Sequence, residues 1–178
     1  MSEELKQYIL KNGLVLGSIY VFIDGFKYVL GPEYFVNTYV GIASLLISAI
    51  FPVYYLIMYR NEKDGFIDFR SAFSICNGIL IAAGFILLVF NILLFNIIDT
   101  GFASELLDAT INSTVAQLES FGMSEEDIIN TIEMIESGSN YSPINMFKGF
   151  GLTVVFYTIY SVIVAAITKN DKPDFIEE

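Results

Sequence analysis

Four apolar runs limit what this chain can fold into. They cover about residues 9–30, 35–59, 70–98 and 144–168, and each is long enough to carry an α-helix across about 30 Å of hydrocarbon, which takes roughly 20 residues. In lipid every backbone N–H and C=O must be paired within its own segment, so runs of this kind cross as helices. Only 16% of the 178 residues are charged, against about 25% in an ordinary soluble domain, and the apolar excess is gathered in the four runs. The expected fold is therefore all-α: a polytopic membrane protein with four transmembrane helices, a single domain over residues 1–178, built as a four-helix bundle.

The second and third runs are joined by a short basic hinge, Arg60-Asn61-Glu62-Lys63-Asp64-Gly65-Phe66-Ile67-Asp68-Phe69-Arg70. With Lys6, Lys11, Lys169 and Lys172 it places seven cations at one end of the runs, and only Lys27 and Lys148 fall towards the other. Cations in short loops stay on the cytoplasmic side, so both termini and the hinge are expected inside the cell. Tyr8, Tyr54, Tyr55 and Tyr59 stand near that inner level, and Tyr28, Tyr34 and Tyr141 near the opposite one. A tyrosine ring is apolar and its hydroxyl seeks water, which suits both interfaces. Gly31-Pro32-Glu33 reads as a turn after the first run, not as a cleavage site.

Several helix ends and packing faces can be read directly. Ser2, Asp68 and Ser124 suit N-caps. Gly13 and Gly17 lie on one helix face, where they permit close backbone approach; two unrelated glycines is the plainer alternative. Small residues also recur every four positions at Gly41, Ser44 and Ser48, at Ser74, Gly78 and Ala82, and along Gly149, Thr153, Tyr157, Ser161 and Ala165. These are expected packing stripes.

The candidate intramembrane polar site comprises Asp24, Lys27, Asn77, Asn91 and Tyr157. Asp24 and Lys27 are the charges well inside an apolar run. Three residues apart, they meet on a helix surface and can neutralise one another. At 1.5 Å per residue Asp24 lies roughly 9 Å below the outer end of its helix. Ionisable groups at that depth are functional candidates; the bland reading is a shallow pair, with Lys27 reaching the interface. Asn77 and Asn91, with Gly84 between them, recur every seven residues. They read first as inter-helix glue and second as the lining of a polar path.

Between the third and fourth runs the composition changes. From Asp99 to Pro143 there are nine acids and no Lys or Arg. Leu107, Ile111, Val115 and Leu118 keep helical spacing, Phe121-Gly122 interrupts it, and Ile128, Ile129, Ile132 and Ile135 resume it after Ser124. The expectation is an extracytoplasmic amphipathic helical hairpin over about residues 102–137, ended by Ser137-Gly138-Ser139-Asn140. Its apolar residues Leu107, Ile111, Val115, Ile128 and Ile132 form a candidate partner surface. No loop carries the alternating oxygen ligands of a calcium site, so the acids read as helix caps and a solvated face.

Three stretches resemble a bacterial membrane family, the domain of unknown function 4199 family: Gly65-Phe66-Ile67-Asp68-Phe69-Arg70-Ser71-Ala72-Phe73, Gly122-Met123-Ser124-Glu125-Glu126-Asp127-Ile128, and Val164-Ala165-Ala166-Ile167-Thr168-Lys169. The order of spans extends the likeness over nearly the whole chain. It departs at Asp68 and Ser71, where the resemblance leads one to expect Ser and Glu. The resemblance implies a small four-span protein of the bacterial inner membrane. It supplies no catalytic residues.

Composition excludes several functions. A net charge of −11 is wrong for nucleic acid, whose phosphates need a basic surface. With no histidine, and Cys76 the single cysteine, neither a Ser/His/Asp or Cys/His arrangement nor a multi-thiolate metal site can be built. No enzyme activity, cofactor or metal is expected. Two readings remain. In the first, a non-enzymatic membrane protein uses its hairpin to meet a protein partner or a second copy of itself. In the alternative, a small transporter or channel component uses a polar path near Asp24. The packing stripes and the single intramembrane acid favour the first. A cavity at Asp24 would favour the second, and a dry bundle the first.

Overall fold

The computed structural model describes residues 2–138 and 141–170. These residues form seven α-helices: α1 (Glu3–Leu30), α2 (Glu33–Val36), α3 (Thr38–Glu62), α4 (Phe69–Leu93), α5 (Phe102–Ser120), α6 (Glu125–Gly138) and α7 (Pro143–Thr168). A π-helical turn, Leu94–Ile98, continues α4. Four helices are long and apolar enough to cross a membrane: α1, α3, α4 with its π-turn, and α7. Each of them exposes large apolar side chains, among them Phe22, Leu45, Phe85 and Phe156. Water would leave so wide an apolar surface uncovered, whereas lipid covers it.

The polar signals at the helix ends act as their chemistry predicts. The Ser2 hydroxyl accepts from the Leu5 N–H at 3.2 Å, and the Ser124 hydroxyl from the Asp127 N–H at 3.2 Å. The Asp68 carboxylate accepts from both the N–H and the hydroxyl of Ser71, at 2.9 and 2.7 Å. The two residues that depart from the expected Ser and Glu thus still make an N-cap, with both bonds running from Ser71 to the Asp68 carboxylate. Those bonds to Ser71 hold the Asp68 carboxyl below the usual carboxylate range, against a smaller opposing effect of burial.

The second span begins later than its hydropathy indicates. It was expected from residue 35, but Asn37 takes an extended conformation and its side chain accepts from the Tyr39 and Val40 N–H groups, so α3 starts at Thr38. Asn at an N-cap outcompetes continuation of the helix. Residues 33–36 form the separate turn α2, and this frees the Phe35 ring to pack edge-on against Phe102, centroids 5.6 Å apart. The turn expected at 137–140 lies partly outside the described residues, as does Lys172.

α4 is the axis of the bundle, packing mainly on α1, then α7, then α3. Apolar side chains gain nothing by leaving lipid for a helix interface, so close van der Waals contact has to hold the helices together. Small residues provide it between α1 and α4. A Cβ on Gly13 would sit 2.6 Å from the Ala82 Cβ, and one on Gly17 would sit 3.2 Å from the Ala83 Cα. The resulting core lies towards the hinge and contains Leu16, Leu56, Ile75, Cys76, Ile79, Ala83 and Ala165, all fully buried.

Contacts at the hinge end tie the spans together. Lys63 pairs with Glu4 at 2.8 Å, and the Tyr8 hydroxyl donates to the Tyr55 carbonyl at 2.8 Å. Arg60 reaches the Thr168 carbonyl at 3.3 Å. Ile67 bridges Asn170, whose side-chain amide donates to the Gly65 carbonyl at 2.9 Å. The start of α1, the hinge and the end of α7 therefore share one end of the molecule. At the opposite end a second apolar cluster of Leu94, Phe95, Phe102 and Leu106 fastens α5 to the π-turn, with Phe35, Tyr141 and Met146 packed against it. Asp99 supports that junction, its side chain accepting from the N–H groups of Gly101 and Phe102 and from the Tyr28 hydroxyl.

Candidate functional site

The polar residues of α1 and α4 meet at Asp24, in the half of the bundle nearer α5. Asp24 lies in the last third of α1 and faces inward, only 8% exposed. One carboxylate oxygen accepts from the Lys27 ammonium at 2.9 Å, and the other accepts from the Asn91 side-chain amide at 3.1 Å. The i,i+3 spacing that predicts the ion pair therefore makes it. Both side chains are almost entirely enclosed. The Lys27 ammonium also lies 5.3 Å from the centre of the Phe35 ring, a cation–π contact made possible by the early end of α2.

Two cavities adjoin this carboxylate. The larger, about 350 Å³, lies between α4 and α7 under the start of α5; Asn91, Gly84, Thr153 and Tyr157 line it together with the aromatic rings of Phe35, Phe95, Tyr141 and Phe150. The smaller, about 210 Å³, is partly open and is lined from all four spans, by Tyr20, Lys27, Ser44 and Ser48 among others. Asp24, Leu87 and Tyr157 line both. The small residues of α3 and α7 thus serve differently along their length. Ser161 and Ala165 are fully buried near the hinge. Towards α5, Thr153 and Ser44 line the two cavities, whereas Gly41 and Gly149 lie on the exposed outer face, where an added Cβ would meet nothing within 4 Å. These stripes pack at one end and leave a chamber at the other.

Beside the chamber, hydrogen-bonding capacity is left unused. The Asn91 carbonyl oxygen is buried and has no partner, although its amide is committed to Asp24. In a low-dielectric site such an acceptor is costly unless a donor meets it. The Tyr20 hydroxyl, by contrast, is used: it donates to Ser48 at 2.7 Å, and Ser48 donates to the Ser44 carbonyl.

Of the five polar residues expected to form one site, the structure brings together Asp24, Lys27, Asn91 and Tyr157. Asn77 stands apart, fourteen residues before Asn91 on α4 and so about 21 Å along the helix. Its carbonyl oxygen is also buried without a partner, and neither cavity at Asp24 includes it. Sequence reasoning missed Phe35, Tyr20 and Phe150 as chamber walls. Gly84, Ser44, Ser48 and Thr153 carried a usable signal in their spacing, but it indicated packing only.

Leu107, Ile111, Val115, Ile128 and Ile132 are all half-buried. α5 is anchored through Phe102 and Leu106 and packs beside α2, and α6 packs chiefly on α5. Phe121, Ile129 and Met134 are well exposed. Among the described residues no group of three acids is placed to hold a metal ion.

A bundle of four lipid-length helices, with two further helices before the last span, defines a small helical protein of the membrane type. The chain belongs to the family described as Protein of unknown function (DUF4199), whose model matches residues 11–170. No curated protein and no solved structure matches it.

Proposed function

We propose that this chain is a non-enzymatic protein of the bacterial inner membrane whose working part is the chamber at Asp24, a site that receives a small polar solute as a transporter or channel component does. Both termini and the hinge lie in the cytoplasm in this reading, supported by the positive-inside bias. α5 and α6 then form an acidic hairpin on the outer side, above the chamber. The observation that carries the reading is the position of Asp24 on the wall shared by two cavities, above a core of fully buried side chains. A merely structural ion pair would be packed around; this one borders open volume, and a neighbouring acceptor lacks a partner.

The experiment is cysteine accessibility in a Cys76→Ser background. Thr153→Cys, which lines the larger cavity, should react with a membrane-impermeant maleimide added from the outer side, and Ile79→Cys in the packed core should not. If Thr153→Cys reacts only with lipid-soluble reagents, the chamber is closed to water and the reading fails. A second reading, contact of the hairpin with a protein partner or a second copy of this chain, is favoured by the exposed Ile129 and Met134 on α6. Crosslinking and pull-down from native membranes would test it without assuming a solute.

A further inference from the structure

The chamber's charge and shape together narrow what it can hold. Its charged groups are one carboxylate and one ammonium, Asp24 and Lys27, already in contact at 2.9 Å. A ligand with net charge would leave that charge unbalanced at membrane depth, which is expensive. A ligand carrying both signs would not. It can open the pair and meet each half with its opposite, so the number of ion pairs rises with no change in net charge.

The uncharged groups fit the same class. The Asn91 carbonyl oxygen is a buried acceptor without a donor, and it belongs to the residue whose amide touches Asp24. An ammonium placed on Asp24 has protons to spare for that second acceptor once the Asn91 side chain turns to present it, since the oxygen has almost no accessible surface as it stands. Lys27 lines the smaller cavity and has donors beyond the one given to Asp24. The larger cavity opens on the other side of Asp24 and is walled by Phe95, Tyr141, Phe150 and Tyr157. Its volume, about 350 Å³, is at the lower end of the range for small-molecule sites, about 300–1,000 Å³. Those walls suit an apolar group.

We propose that the chamber binds a small zwitterion of the amino-acid class. Its ammonium sits on Asp24 and the Asn91 carbonyl oxygen, its carboxylate on the Lys27 ammonium, and its side group in the aromatic cavity. The proposal rests on the solute-binding reading above and adds the ligand's chemistry.

The test uses the full chain in lipid nanodiscs. Thermal unfolding and equilibrium dialysis are run with L-leucine, L-phenylalanine and L-serine, then with isoamylamine and 4-methylpentanoate, which keep the leucine side group but only one charge each. At least one amino acid should raise the unfolding midpoint at about 10 mM, and the leucine analogues should bind at least about tenfold more weakly than leucine. Asp24→Asn alone leaves Lys27 unpaired and endangers folding. The double variant Asp24→Asn with Lys27→Gln keeps the shape of the pair without either charge, and it should lose binding by about tenfold or more. If the amine or the acid binds as well as leucine, the zwitterion is wrong although a solute site stands. Binding unchanged in the double variant overturns the proposal, and so does the absence of binding by all three amino acids. Thr153→Cys labelling separates that last result from failure of the solute-binding reading itself.

Discussion

At the level of single residues, the two asparagines of α4 both leave a buried carbonyl oxygen without a partner, and the bond to Asp24 distinguishes Asn91. Asn91 donates to a charged carboxylate, and bonds of this kind between membrane helices are worth about 1 kcal/mol on average. Asn91→Leu should therefore lower stability in detergent by about that amount. Asn77 leaves a buried carbonyl oxygen unpaired, so Asn77→Leu removes an unmet acceptor and should leave stability unchanged or raise it. Thermal unfolding of both variants checks the pair, and a loss in Asn77→Leu equal to that in Asn91→Leu would show that Asn77 also acts as glue. Asp68 provides a pH test. Its folded carboxyl titrates below the ordinary value of about 3.9 because Ser71 bonds the charged form. Its stabilisation is present above the unfolded value and disappears as pH falls through the folded one. Asp68→Ala should cost about 1 kcal/mol near neutrality, with the difference from wild type vanishing in strong acid. A difference independent of pH would rule out the charged cap.

Between elements, the α1–α4 contact depends on absent side chains. Gly13→Ala puts a methyl against Ala82 and should cost about 1–3 kcal/mol, as overpacking does. Adding Ala82→Gly should recover part of it, whereas Gly41→Ala, facing empty space, should be neutral or slightly stabilising. α5 and α6 are short helices, and tertiary contacts must supply most of their stability. Ile128→Ser with Ile132→Ser should speed amide exchange from about Ser104 to Glu136 and leave the four spans protected; unchanged exchange would mean that these side chains hold nothing. Much of this was legible in the sequence, because span length, N-caps and the Gly13–Gly17 face are local. The start of α3 was not, since hydropathy runs smoothly through Phe35 while the break depends on the Asn37 side chain turning back on the backbone. The chamber was half legible. Spacing placed Asp24 beside Lys27 and set small residues along α3 and α7. Whether a stripe meets a neighbour or faces a gap depends on how helices diverge, and no period in one helix records that.

For the molecule as a whole, topology is the first thing to measure. In a Cys76→Ser background, Ser124→Cys should be labelled from outside the cell and Asn61→Cys only after the inner face is opened. The reverse pattern would invert the orientation and put the chamber's α5 end in the cytoplasm. The strap of Ile67 and Gly65 to Asn170 bears on biosynthesis. The hinge is made early, yet the residue that latches it, Asn170, lies just beyond α7. Until the ribosome has delivered the whole of α7 and two residues more, Arg60 has no Thr168 carbonyl to reach and the hinge backbone lacks its partner. The latch can therefore close only once α7 has been made, and an incomplete α7 leaves the hinge without it. A chain stopped after residue 160 should be cut within residues 60–70 faster than the full chain under limited proteolysis, and equal cutting would show that the latch protects nothing.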